Sequence, residues 1–246
     1  MLIVSNKYRL ASLVLPKCAS TTVIALFAEL HGLPVGSRER RALEGVYASL
    51  GPEHDRAADL VVVKHGQFGA TFGNLRDYAW FSVVRDPYGR LLSNYYNKIN
   101  RFSARFRRDL YLRFKLLQVL KGPAAWRDVR LAMPFLRKHV SYHDFVGTLG
   151  REGVDWDIHY RLQSRLLRLD RIGYTQLLRM EKLQDELPAF LRQAGLSQTA
   201  VSSLGEIRTL NRSGAEDGRG LPEELAERPR VYDLYRDDFE RLGYAR

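Results

Sequence analysis

A lysine followed closely by three hydroxyl residues, Lys17-Cys18-Ala19-Ser20-Thr21-Thr22, stands between an apolar run and an apolar helical pattern. Such a turn offers backbone N–H groups at a helix N-terminus, Ser and Thr donors, and a mobile ammonium charge. Those are the features that hold phosphates. It is not a Walker A loop, because the glycines of GxxxxGK[ST] are missing and the lysine lies at the strand end. The same residues also suit a capped helix with its lysine in solvent. A second place of this kind is Arg85-Asp86-Pro87, with Ser93 about two helical turns further on. An arginine fork at a strand end suits an anion, although an ordinary strand–helix junction would read the same way. His65 follows Leu60–Val63 and precedes a loop containing Gly66, Gly69 and Gly73. Its imidazole titrates near neutrality and could take a proton from a hydroxyl. A histidine bonded to its loop is the structural alternative. His159, among Asp155, Trp156 and Asp157, ranks second as a base. The six histidines are scattered and Cys18 is the single cysteine, so no metal-ligand pattern is present.

These residues need elements to position them. Leu2–Val4 is a short apolar run, and Leu10–Leu15 is the better candidate for a first buried strand, ended by Pro16. Val23, Ile24, Phe27 and Leu30 share one helical face, and Gly32 and Pro34 close that helix. Leu60–Val63 reads as a central strand, and Phe81–Val84 as another, stopped by Pro87. Asp86 is placed to cap the next helix, where Leu91, Leu92, Tyr95, Tyr96 and Ile99 recur at helical spacing. Ser93 and Asn94 fall on a different face of it. Tyr174–Leu178 suits a late strand, with a helix over Glu181–Leu191. Residues 34–58 read as loop with at most one short helix. No repeat or linker divides the chain, so one domain over residues 1–246 is expected: an α/β fold with a central parallel sheet flanked by helices.

Composition narrows the ligand class without choosing within it. The chain has 39 Lys and Arg against 28 Asp and Glu, a net charge of +11, and a partner that is anionic is expected. From Lys98 to Lys138 twelve basic residues face only Asp109 and Asp128, with Phe102, Phe106, Tyr111, Phe114 and Trp126 interleaved. Arg101 and Arg105 are candidates there for an acidic saccharide acceptor, whereas a solvated helix face is the plainer reading. No recognised nucleic-acid module appears. One cysteine excludes an intrachain disulfide, and no run of eighteen apolar residues exists, so a cytoplasmic protein is expected, with a peripheral membrane-surface contact left open.

Taken together, strand-PKCASTT-helix and strand-VRDPYGRLLSNYYNK-helix resemble the two nucleotide-binding signatures of sulfotransferases that use 3′-phosphoadenosine-5′-phosphosulfate (PAPS). The likeness is to the carbohydrate sulfotransferase branch typified by HNK-1 and chondroitin 4-O enzymes. It continues through Ser141–Val146, through Asp157-Ile158-His159-Tyr160 with Gln163, through Ile172–Asp185 and through Tyr232–Tyr244, and so spans most of the chain. Tyr160 and Leu162 depart from the Trp and Pro of the branch's pattern.

The resemblance implies a P-loop-NTPase-like sulfotransferase fold and a sulfuryl transfer from PAPS, without a metal, to a hydroxyl of a glycan, glycolipid or lipo-oligosaccharide. It implies Lys17 beside the departing nucleotide, and Cys18, Ala19, Ser20, Thr21 and Thr22 around the 5′-phosphosulfate. It implies Arg85 and Ser93 at the 3′-phosphate, with Arg212 and Ser213 on a late loop over it, and it is compatible with His65, read above from its place after a strand, as the base. Two other classes compete: a nucleotide-dependent kinase and a non-enzymatic basic protein that binds polyanions.

Overall fold

The computed structural model describes residues 1–33, 59–63, 75–100, 140–155, 157–197 and 222–246, with the backbone alone at 98–100. In chain order the described elements are β1 (Leu2–Ser5), β2 (Leu10–Leu13), α1 (Ser20–Leu30), β3 (Leu60–Val63), β4 (Ala79–Val84) and α2 (Pro87–Asn94). A π-helical segment (Tyr95–Asn100) follows, then α3 (Tyr142–Glu152), α4 (Gln163–Leu167), β5 (Gln176–Arg179), α5 (Leu183–Gln193), α6 (Pro222–Leu234) and α7 (Arg236–Leu242). They form two compact units, each built from two separate stretches of chain: Met1–Arg85 with Gln163–Arg212, and Asp86–Leu162 with Ser213–Arg246. None of the described helices is long and apolar enough to cross a membrane.

The first unit carries a five-stranded sheet in the order β3-β1-β2-β4-β5. β2, β4 and β5 pair in parallel, and β1 runs antiparallel to both β2 and β3. The expected parallel sheet is thus mixed, with one strand of five reversed. The reason is local: Leu2–Ser5 and Leu10–Leu13 are joined by four residues, too few for the crossover a parallel pair needs. The short N-terminal apolar run is therefore a strand in its own right. It also displaces β3, read from its LVVV sequence as central, to the end of the strand order. Its four residues are nonetheless buried, so an apolar run reports burial better than rank in a sheet.

Phe81 of β4 stacks on Phe27 of α1, with ring centroids 6.1 Å apart, and meets Phe190 of α5 at 5.1 Å with the rings tilted by 45°. A strand side chain points to a single face, so these contacts put α1 and α5 on the same side of the sheet. α1 ends as its sequence suggests, with Gly32 at φ 65° just beyond it. α5 begins two residues later than expected, after a 3-10 turn over Met180–Lys182.

The second unit is helical. Leu91, Tyr95, Tyr142, Phe145, Val146, Leu149, Tyr160, Val231, Tyr235 and Phe239 form its core. Ser141 caps α3 by accepting the Asp144 N–H at 3.0 Å. The stretch Tyr232–Tyr244 is the end of α6 followed by α7, with a break at Tyr235. The Tyr235 hydroxyl donates to the Tyr160 carbonyl at 2.7 Å, which ties the break to the core. α2 gives way to π-helical turns at Tyr95, a transition often found at functional sites.

Candidate anion-binding site

Because β2 and β4 are parallel neighbours, with Leu10, Ala11 and Ser12 opposite Ala79, Trp80 and Phe81, the chain leaves both at one sheet edge. The Lys17 turn follows β2 and Arg85 follows β4, so the two motifs read from the sequence stand side by side. Ser82 extends the tie past the ladder, its hydroxyl donating to the Leu13 carbonyl at 2.5 Å. The C-terminal edge of parallel strands is where open α/β sheets bind ligands.

The turn after β2 is strained. Lys17 has φ 65° and Ala19 has φ 50°, both in the left-handed region that L-residues other than Gly, Asn and Asp rarely adopt. Each costs about 1–2 kcal/mol. Ala19 is the N-cap of α1 and provides no side-chain acceptor to the first turn. Ser20 and Thr21 are half-buried, while Cys18 and Thr22 are buried. An alanine cap leaves the helix N-terminus without the carboxylate or hydroxyl that would otherwise occupy it.

Arg85 is 6% exposed. Its Nη1 donates to the Lys17 carbonyl at 3.4 Å, and it forms no ion pair with a carboxylate among the described residues. A buried cation without a counter-ion is costly, and an anionic ligand would relieve that cost. Gln163, the first residue of α4 and fully buried, bonds the backbone of Arg85 on both sides. Its Oε1 accepts the Arg85 N–H at 3.0 Å, and its Nε2 donates to the Arg85 carbonyl at 2.8 Å. The same Oε1 accepts the Cys18 thiol at 3.2 Å.

Ser93 lies on α2 in the second unit, 3% exposed. It and Asn94 fall on a buried face, not the solvent face that polar residues on an amphipathic helix suggest. Asn94 Nδ2 donates to the carbonyls of Arg90, at 3.2 Å, and His159, at 2.8 Å. α2 packs against α6 and, through Asn94, against the His159 carbonyl, which buries this face. In the same unit His159 Nδ1 lies 2.6 Å from Asp157 Oδ1, which also accepts the His159 N–H at 2.7 Å. The carboxylate against Nδ1 orients the ring.

His65, Arg101, Arg105, Arg212 and Ser213 lie outside the described residues. β3, the strand before His65, runs parallel to β2 and ends at the same sheet edge, with β1 between them. Two residues received no role from sequence reasoning: Gln163, quoted only as part of a motif, and Asp157. A glutamine directly after Leu162 carries no local signal, since its partners are 78 and 145 positions away. The Asp-x-His spacing of Asp157 and His159 was the one sign available.

A family model described as "Sulfotransferase family" matches residues 1–245. Carbohydrate sulfotransferase 10 of Xenopus laevis is 24% identical over 256 residues; the match covers 98% of this chain and 66% of the relative, slightly under two thirds of its length. No solved structure matches. With two adjacent anion-suited turns at one sheet edge and a family match along nearly the whole chain, the protein belongs to the sulfotransferase family.

Proposed function

We propose that this protein moves the sulfuryl group of PAPS to a hydroxyl of a carbohydrate-containing acceptor and releases 3′,5′-ADP. One observation carries the reading: the buried Arg85, without a carboxylate partner among the described residues, stands beside the strained Lys17 turn. An arginine fork matches a phosphate. The open N-terminus of α1 suits a second anionic group. A nucleotide bearing both a 3′-phosphate and a 5′-phosphosulfate supplies two such groups.

Sulfuryl transfer, like phosphoryl transfer, asks the protein for position and charge stabilisation rather than covalent chemistry. The bond from sulfur to the nucleotide's phosphate oxygen breaks as the bond to the acceptor oxygen forms. In this reading the Lys17 ammonium neutralises the charge left on the departing 5′-phosphate. The amides of Ala19–Thr22 and the hydroxyls of Ser20, Thr21 and Thr22 hold the phosphosulfate, and Arg85 takes the 3′-phosphate. Ser93 is assigned to the same phosphate on the family resemblance. The acceptor's proton goes to a histidine. His65 is the first candidate, and the Asp157–His159 pair gives a second its orienting carboxylate. A carbohydrate acceptor is supported by the name of the relative, a carbohydrate sulfotransferase.

Thermal stability of the purified protein with 3′,5′-ADP, against 5′-AMP and ATP–magnesium, tests the reading. A ligand present at about a hundred times its dissociation constant adds roughly 2.7 kcal/mol to the native state. Stabilisation by 3′,5′-ADP and not by 5′-AMP is expected. A response to ATP–magnesium alone would overturn the reading in favour of a kinase.

A further inference from the structure

We propose that Gln163 is a positioning residue that sets Arg85 and the Lys17 turn in register with each other. This rests on the nucleotide reading above. Arg85 is the first residue past β4, beyond the last ladder pair, Val84 with Arg179. Its N–H and C=O have left the sheet, and it precedes a helix that starts only at Pro87. A buried backbone in that position needs partners from elsewhere. The Gln163 amide supplies both, one donor and one acceptor, as a neighbouring strand would. The pattern also fixes the amide's orientation, because only Oε1 can accept an N–H and only Nε2 can donate to a carbonyl.

The remaining lone pair of Oε1 takes the Cys18 thiol, next to Lys17. One buried side chain therefore grips the residue that offers the guanidinium and the turn that offers the ammonium. The Arg85 guanidinium in turn reaches the Lys17 carbonyl. Misplacement of about 1 Å at such groups is enough to lower a rate a hundred-fold. A side chain that merely filled space would not need this donor and acceptor pattern. Leucine or methionine would occupy the same volume but leave the Arg85 N–H and carbonyl without these partners.

The pattern predicts a pH signature. In Gln163→Glu the ionised carboxylate accepts from the Arg85 N–H but cannot donate to the Arg85 carbonyl, which it repels. Once protonated, the carboxylic acid has one donor and one acceptor again and restores both bonds. Burial raises the carboxyl's pKa and the neighbouring Arg85 and Lys17 cations lower it, so the two bonds return as the pH falls.

The experiment measures 3′,5′-ADP affinity and turnover for wild type, Gln163→Glu and Gln163→Met, with circular dichroism as the fold control. Gln163→Glu is expected to bind 3′,5′-ADP about ten-fold more weakly than wild type near pH 8. The ratio to wild type is expected to narrow as the pH is lowered from about 8 to about 5.5. Gln163→Met is expected to stay weak at both. A ratio that does not change with pH, or wild-type affinity in both variants, overturns the proposal. If Gln163→Glu does not fold, Cys18→Ala decides: it removes only the thiol arm and is expected to lower turnover a few-fold, and unchanged turnover overturns the role. If wild type itself does not bind 3′,5′-ADP, the nucleotide reading fails first and takes this role with it.

Discussion

Two strand-to-helix turns in this chain solve the same covalent problem in opposite ways. At Asp86-Pro87 the solution is the ordinary one. The Asp86 carboxylate accepts the Gly89 N–H at 2.8 Å, Pro87 occupies the first helical position, and α2 starts with its N-terminus already occupied by an anion. At Lys17–Ser20 two residues take left-handed backbone angles, and the cap is an alanine whose side chain has nothing to donate or accept. The first arrangement is cheap and closed; the second is strained and open. Strain of this kind persists where the surroundings enforce it, and it concentrates at functional sites. The difference divides the labour. In the proposed reading, anion binding rests on the helix amides at α1 and on the Arg85 side chain at the second turn.

The largest effect is expected when the open turn is made to resemble the closed one. Ala19→Asp puts a carboxylate at the N-terminus of α1, where aspartate tolerates a left-handed φ better than most residues do. Like charges forced together cost several kcal/mol. Affinity for 3′,5′-ADP is expected to fall by about a hundred-fold or more, with the melting temperature of the unliganded protein held. Unchanged affinity, read by isothermal titration, would mean that α1 does not face the nucleotide.

Removing the cations is the next test. Lys17→Ala and Arg85→Ala are each expected to lower nucleotide affinity or turnover by about ten-fold or more, as the loss of a charge-assisted phosphate contact does. The two should differ in kind: Lys17→Ala mainly in kcat, Arg85→Ala mainly in Kd for 3′,5′-ADP. Full activity in both variants would remove the site assignment altogether.

How much of this was legible in the sequence follows from how local each signal is. The Asp86 cap and Pro87 are read within four residues of themselves, and the structure has them as expected. The Lys17 turn and Arg85 were legible as types, and their adjacency follows once β2 and β4 are parallel neighbours. The reversed β1 was not legible, because a four-residue apolar run has the same pattern in either direction. Nor was the break at Tyr235, which depends on a hydroxyl reaching a carbonyl 75 positions away. Gln163 is the strongest case. Its importance lies entirely in partners from β4 and the Lys17 turn, and no periodicity or spacing encodes that.

The closed turn should behave as structure only. Asp86→Ala removes the α2 cap, which costs about 1 kcal/mol. In a chain of this size that is a fall of about 2–4 °C in melting temperature. Affinity for 3′,5′-ADP is expected to stay within about two-fold of wild type, since the anion-binding group of this turn is the neighbouring guanidinium. A loss of affinity comparable to that of Arg85→Ala would show that the cap holds the arginine, and the division of labour would be wrong.

The smallest expected effect isolates the strain itself. Alanine to glycine in a helix costs about 1 kcal/mol as a rule. At position 19 the sign should differ. Glycine relieves the left-handed φ of 50°, recovering about 1–2 kcal/mol, against about 0.4–1 kcal/mol for the added freedom of the unfolded chain. Ala19→Gly is therefore expected to leave the melting temperature unchanged or raise it by a few degrees, with nucleotide affinity near wild type because the amides are kept. Ala25→Gly, in the buried middle of the same helix, should lower it. A fall at position 19 as large as at position 25 would mean that the backbone there is not left-handed in solution, and the open turn would lose the strain that sets it apart from the closed one.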